Sequence, residues 1–594
     1  MAKKENRGIP SQSAEEPQSK LSRRSFLKGA GAVGVAAVGV GAAGAGLIGC
    51  SSSGGSSSSS SSSSGSATTE YASMVDSRDY EASLAVVEPI TDFADEKTYD
   101  IVVVGAGVAG VPAVLTALDE GVTVACLQKE PEASANGHYS AGLVQEASNP
   151  VDILKWQQSL RANNSYRLNW DLLSFYTAHS GETAFFIDKW AEKVGSPADE
   201  TWITEGVDLT EGDAIQSTDT EMELLYVVHG WKDGNDGFLK KLAKKAEEEG
   251  AEFFYNTPGV QLIKDGSGKV TGVVGQTKDG DYIKFTANKG VILATGDYEN
   301  NQSMVNKFNP DLEYFEAAQL GRAGDGHLMA IQAGASLVPL GHCKQLHCVF
   351  ASDWHTSAVP LLSLDMKGKR FMNEEIAMTL WHNSLNVLTD QEDRGVFVRV
   401  FDDAFETKIE GIGTREMLEA YIPDSGVTKE EFDAVTNYTP SMADMHKADT
   451  LDELASILGV PADALKESVA KWNEYCAAGE DPEFGLDKKY LKTIDTPPYW
   501  GVNQHVKIIA INSGVVVDKN YQVVDGELDP IPGLFAVGTT GGDLCGNNDW
   551  RMSFGLSNGH CMTGGRYATL FAIHGEAKPT TPVAWDEVKS LYGK

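Results

Sequence analysis

The strongest chemical signal in the chain is Gly105-Ala106-Gly107-Val108-Ala109-Gly110, set directly after the apolar run Tyr99-Asp100-Ile101-Val102-Val103-Val104. Glycines at this spacing let the backbone approach a pyrophosphate, whose charge then rests at a helix N-terminus. The flanks supply the context that such a motif needs. Residues 99–104 read as a buried parallel strand, 111–120 as a helix and 122–127 as a second strand, a βαβ unit of about thirty residues. An acidic residue commonly closes the second strand and takes the ribose hydroxyls. Here the strand ends Leu127-Gln128-Lys129-Glu130. Gln128 stands where the carboxylate is expected, with Lys129 beside it, and an amide still hydrogen-bonds a hydroxyl.

A second possible constellation is His342-Cys343 with His347-Cys348. No other cluster supplies the remaining ligands at a recognised spacing, so no metal site is expected. The chain also lacks Cys-x-x-Cys-His, so it carries no covalent haem attachment.

These residues need a scaffold, and composition allows one. With 594 residues, 42% of them hydrophobic, the chain has ample material for a large core, which excludes global disorder. The 49 Lys and Arg against 84 Asp and Glu give a net charge of -35, which repels phosphate backbones and argues against nucleic acid as a partner. Seven cysteines are too few for a disulfide scaffold of this size. The run from Lys240 to Glu249 reads as the solvated face of a helix. Residues 451–458 and 462–475 read as two further helices, with Asp449 or Thr450 as a plausible N-cap.

The N-terminus reads as an address. Ser22-Arg23-Arg24-Ser25-Phe26-Leu27-Lys28 and the Ala/Gly/Val run after it resemble a twin-arginine export signal. Leu47-Ile48-Gly49-Cys50 resembles a lipobox, in which the thiol of Cys50 takes the lipid. Residues 51–66 contain only Ser and Gly, a flexible tether whose r.m.s. span is about 20–24 Å. Residues 1–49 are thus expected to be a signal, and 50–97 a lipidated cysteine and tether. The protein would then be exported folded and anchored on the outer face of the bacterial cytoplasmic membrane.

Over about residues 98–575 the chain resembles the FAD-dependent fumarate reductase and flavocytochrome c flavoproteins, with the related 3-ketosteroid dehydrogenases and urocanate reductases. Beside the glycine fingerprint, the matching stretches are Asn136-Gly137 with Gly142, Val291-Ile292-Leu293-Ala294-Thr295-Gly296, and Gly324-Asp325-Gly326-His327. Further matches are Gly368-Lys369-Arg370-Phe371-Met372-Asn373-Glu374, Trp472-Asn473-Glu474-Tyr475 and Pro532-Gly533-Leu534-Phe535-Ala536-Val537-Gly538. The resemblance implies an α/β fold. A Rossmann-type FAD-binding domain would be built from two segments, 98–343 and 506–594, with an inserted α+β capping domain over 344–505. The returning segment fits that outline: residues 514–518 read as a strand, the Pro-Gly turn as the approach to another, and 555–565 as a Gly-rich helix start. The flavin contacts implied by the resemblance are Gly105, Gly107, Ala109, Gly110, Asn136, Gly137, Gly142, Val260, Asp325, Thr539, Ser557 and Asn558. Thr539 stands where the family usually has Glu.

The catalytic residues depart from the family pattern. The Arg proton donor lands on Met378, and a thioether delivers no proton. The substrate-binding His lands near Ala510, in Ala510-Ile511-Asn512-Ser513-Gly514. One family Arg survives with a one-residue shift, as Arg551. Gln345-Leu346-His347 resembles the family's Gln-x-His segment, and His382 is a candidate for the absent donor. Reduction of an activated double bond needs hydride from flavin N5, a group that polarises the acceptor oxygen, and a proton donor. Arg551, His347 and His382 are the candidates for the last two roles.

With both carboxylate-directed groups gone, the expected acceptor is an α,β-unsaturated compound other than fumarate. Electrons would come from a separate membrane cytochrome or quinol-linked donor, as in anaerobic respiration. Two alternatives stay open: a dehydrogenase or oxidase that desaturates a ketosteroid-like compound, and a non-catalytic electron-transfer flavoprotein.

Overall fold

The computed structural model describes residues 78–84, 87–134, 140–144, 150–163, 166–197, 226–231, 237–313, 315–317, 321–339, 341–347, 359–374, 395–412, 414–419, 445–542, 544 and 555–575. The expected export signal, Cys50 and the Ser/Gly run 51–66 lie outside the described residues. The tether expected to reach residue 97 ends earlier, since Tyr80–Ser83 is helical, Tyr80 N donates to Ser303 Oγ at 2.8 Å, and Asp95 already begins a strand.

The apolar run singled out above forms the strand Asp95–Val104, whose last four residues are buried. It pairs in parallel with Val124–Gln128 on one side and Tyr282–Leu293 on the other. Glu252–Tyr255 extends the sheet in parallel beyond Val124–Gln128. Strands buried on both faces need nearly continuous apolar side chains, and Ile101, Val102, Val103, Val291, Ile292 and Leu293 meet that demand.

The returning segment completes this eight-stranded sheet. Pro530–Ala536 adds in parallel to Tyr282–Leu293, with Leu534 opposite Val291 and Ala536 opposite Leu293. The last described helix, Leu556–His574, then packs beside Gly110–Asp119. Two distant stretches of chain thus make one Rossmann-type domain. Residues 514–518, expected as a strand, form only isolated bridges: Val515 to Leu337 and Gly541, and Val517 to Val523.

Between the two stretches lies a separate antiparallel sheet of Leu362–Asp365, Val396–Asp402, Tyr499–His505 and Met445–Ala448. The helices Leu451–Leu458 and Ala462–Ala478 cover it, burying Leu454, Leu458, Leu465, Val469 and Trp472 in one apolar cluster with the strands. Thr450 caps the first of them by accepting from Glu453 N at 3.2 Å. This is the α+β insertion. Arg370 locks it to the following loop: the guanidinium bonds Glu374 Oε1 at 2.7 Å and Asp481 Oδ2 at 2.8 Å, between the rings of Trp472 and Phe484.

The chain leaves for the insertion and returns from it through one small sheet. Lys344–His347 runs antiparallel to Lys507–Ile511, which also pairs with Glu316–Ala317. The helix Phe238–Glu248 buries Phe238, Leu242 and Ala246, while Lys240 reaches Glu132 at 2.7 Å from the solvated face. Among the described residues, no helix is long and apolar enough to cross a membrane.

Candidate functional site

The glycine turn closes the strand Asp95–Val104 and opens the helix Gly110–Asp119. Gly105 holds φ +106, a conformation that side chains rarely adopt. A Cβ on Gly110 would collide with the carbonyl oxygen of Gly105, so the turn is too tight for any other residue. The structure therefore brings the first peptide groups of that helix to the C-terminal edge of a parallel sheet, where a pyrophosphate fits.

The end of the second parallel strand meets residues far apart in sequence. Gln128 is buried, and its Nε2 donates to Glu132 O at 3.0 Å, so the side chain offers its Oε1 to a hydroxyl. Lys129 Nζ lies 2.9 Å from Asp325 Oδ2, and Arg78 Nη2 lies 2.8 Å from Asp325 Oδ1. Burial alone would raise the Asp325 carboxyl, but these two cations hold it below the usual carboxylate range. Val260 falls at the register shift between Gly259 and Gln261, without a cross-strand partner in the ladder.

Thr540 stitches the returning segment to this edge. Its Oγ1 donates to Gly296 O at 2.8 Å and lies 3.2 Å from Thr295 Oγ1, which accepts from Gly326 N at 3.2 Å. Thr539, one residue earlier, is half-buried at the same junction. Ser557 and Asn558 occupy the first turn of Leu556–His574.

The small crossing sheet contributes a second wall. Gln345 pairs with Ala510 in register, Lys344 with Ile511, and Asn512 N continues the ladder by donating to Cys343 O at 2.7 Å. Cross-strand partners and alternate residues share a face, so Cys343, Gln345, Ala510 and Asn512 point the same way. Leu346 and Ile511 point oppositely, into a different apolar cluster from the one that takes Cys343. Gln345 is 5% exposed and Asn512 8%, yet Gln345 Nε2 and Asn512 Nδ2 have no hydrogen-bond partner. Asn512 Oδ1 is held by Ser557 Oγ at 3.2 Å.

Behind that wall sits a charged cluster that sequence reasoning missed. Arg322 pairs with Glu299, lies 3.7 Å from Asp297 Oδ2 and donates to Ile509 O at 3.2 Å. Asp297 Oδ2 accepts from Ile511 N at 2.9 Å. The peptide groups on both sides of Ala510 are thereby fixed. The available signal was three polar residues, Asp297, Tyr298 and Glu299, four residues past the end of the apolar strand at Leu293. His327 is fully buried nearby, both ring nitrogens without a partner, and burial pushes it down to about 3.

Of the residues expected to act on substrate, only the backbone of His347 is described, opposite Lys507 at the end of its strand. Arg551, His382 and Met378 lie outside the described residues, as do Asn136 and Gly137. Gly142 lies in the strand Ser140–Val144, opposite Val228. The tight glycine cradle and the Lys129–Asp325 pair fit a flavin dinucleotide.

Comparison with known proteins agrees with that fit. The family described as FAD binding domain matches residues 100–549. A vinyl phenol reductase of Lactiplantibacillus plantarum is 26% identical over 503 residues, covering 80% of this chain and 96% of that protein. A urocanate reductase of Eggerthella lenta is 26% identical over 475 residues, covering 76% and 71%. Among solved structures, the open conformation of a flavocytochrome c3 fumarate reductase superposes with a TM-score of 0.61 at 22% identity, covering 81% of this chain and 78% of that one.

Proposed function

The chain belongs to the FAD binding domain family, and with that as premise we propose that it reduces the activated C=C bond of an α,β-unsaturated organic acceptor other than fumarate. It is an FAD-dependent oxidoreductase acting on CH-CH groups. The similar proteins that reduce vinyl phenol and urocanate support this substrate class, since each acts on a conjugated double bond.

When bound, FAD supplies a hydride from N5 to the β-carbon of the acceptor. The protein's own residues do the rest. The Gly105–Gly110 turn takes the pyrophosphate at a helix N-terminus, while Gln128 and Asp325 take the ribose end. Asn136, Gly137, Gly142, Val260, Thr539, Ser557 and Asn558 complete the cofactor's contacts in this reading. Arg551 polarises the acceptor oxygen, and His347 or His382 delivers the proton to the α-carbon. The insertion excludes water from the reacting face.

One observation carries the exclusion of fumarate. On the wall formed by Cys343, Gln345, Ala510 and Asn512, every side chain is uncharged. The second carboxylate of a dicarboxylate brought against this wall would lose its hydration without gaining a cation from it. Electrons arrive, in this reading, from a separate membrane cytochrome or quinol-linked protein, and Cys50 anchors the enzyme beside that donor. Anaerobic reoxidation of the reduced protein by a library of unsaturated acceptors tests the reading. Bleaching reversed by conjugated carbonyl compounds is expected, and substantial succinate formation from fumarate would sink it.

A further inference from the structure

The two carboxamides on the crossing sheet have a use that the cofactor cradle does not account for. Each is nine-tenths or more buried, and each keeps an amide nitrogen without a partner. Leaving such a donor unmet in a buried site is unfavourable, so a ligand that meets both is favoured. Gln345 stands opposite Ala510 across the sheet and Asn512 two residues beyond it, so all three share one face. Their surroundings are rigid. Asn512 is held through its Oδ1 by Ser557, and the Ala510 peptide groups by Asp297 and Arg322. The strands that carry them are the ones by which the chain leaves for the insertion and returns, so the pair stands at the domain junction, where small-molecule pockets form.

We propose that Gln345 Nε2 and Asn512 Nδ2 together bind the carbonyl oxygen of an uncharged acceptor, an enone or unsaturated ester, and so set specificity against carboxylates. The assignment rests on the reductase reading above and names its substrate class. Neutral N–H donors satisfy a neutral carbonyl without a buried charge. A carboxylate at the same place would keep its full charge against a wall whose described side chains, Cys343, Gln345, Ala510 and Asn512, are all uncharged, which is unfavourable. Two donors on one oxygen also draw electron density from the conjugated β-carbon, which favours hydride addition there.

The test uses the FAD-loaded enzyme, reduced with dithionite and mixed anaerobically with cyclohex-2-enone or with acrylate. The wild type is expected to be reoxidised by the enone in preference to acrylate. Asn512→Leu and Gln345→Leu should each lose about 10- to 100-fold in kcat/KM for the enone, with FAD content and flavin midpoint potential unchanged. Ala510→Arg, which places a permanent cation on the same wall, should raise the acrylate-to-enone ratio at least about tenfold. This gain remains readable if a leucine variant fails to fold.

Unchanged enone rates in both leucine variants would overturn the assignment. So would losses that track FAD release or a shifted potential, because the amides would then be serving the flavin. If the wild-type enzyme is reoxidised by no unsaturated acceptor at all, the reductase reading falls and this assignment with it.

Discussion

Lys129 Nζ sits 2.9 Å from Asp325 Oδ2, an ion pair between residues 196 apart that ties the end of the second parallel strand to the first residue of the helix Asp325–Gln332. Arg78, two residues before the helix Tyr80–Ser83, holds the other carboxylate oxygen. The pair fixes the orientation of two groups assigned to the adenosine end of the cofactor. Lys129→Ala should therefore weaken FAD binding roughly tenfold, ~1.4 kcal/mol, and Asp325→Ala should weaken it more. Titration of apo-protein with FAD, followed by fluorescence quenching, measures both. Equal affinities in wild type and variants would remove the pair from the cofactor site.

Gly110→Ala puts a methyl into the carbonyl oxygen of Gly105. The turn must open to admit it, and the peptide groups aimed at the pyrophosphate move with it. FAD affinity is expected to fall by at least about a hundredfold, ~2.7 kcal/mol, while far-ultraviolet circular dichroism keeps its α/β shape. Retention of stoichiometric flavin through gel filtration is the result that contradicts this.

Arg370→Ala leaves Glu374 and Asp481 unpaired with both side chains fully buried. Breaking one side of such a cluster costs about 3–5 kcal/mol. A lower thermal midpoint should follow, with the insertion melting ahead of the flavin domain. Adding Glu374→Gln and Asp481→Asn to the same chain should recover part of the loss, since neutral amides no longer need the guanidinium. No recovery would mean that the guanidinium acts mainly by packing between Trp472 and Phe484.

Acid should destabilise the protein well above the carboxylate range. Burial pushes His327 down to about 3, and His342 and His560 down to about 4, from an ordinary 6.5. The folded state keeps these rings neutral while the unfolded chain protonates near pH 6.5, so the unfolded state binds the extra protons as pH falls. Each ring then contributes a stability loss of about 1.4 kcal/mol per pH unit between its two values. Thermal midpoints measured from about pH 7.5 down to about pH 5 should drop steadily, and His327→Leu should flatten the slope. A midpoint independent of pH over that window contradicts the account.

Much of the architecture was legible from residues alone. The glycine fingerprint, its flanking strand and helix, the two helices covering the insertion and the Thr450 cap all rest on interactions between near neighbours, so period and spacing reveal them. Residues 514–518 show where that logic stops. Their alternation suits a strand, but Val515 and Val517 find partners only as single bridges. Strand pairing needs a second chain segment in register, and local sequence does not say whether one is present.

The site divides in the same way. Sequence alone determined the tight Gly105–Gly110 turn and its fit to a pyrophosphate, because a turn ahead of a helix is a local geometric demand. Gln345 and Asn512 sit in the segments that carry His347 and Ala510, with no local feature to mark them. Only the tertiary structure put them on one face of one sheet and left their amide nitrogens without partners. The same holds for Lys129 with Asp325 and for Arg322 with Asp297 and Glu299. Burial and the absence of a hydrogen-bond partner are properties of the whole packed chain, set by segments that come together only on folding.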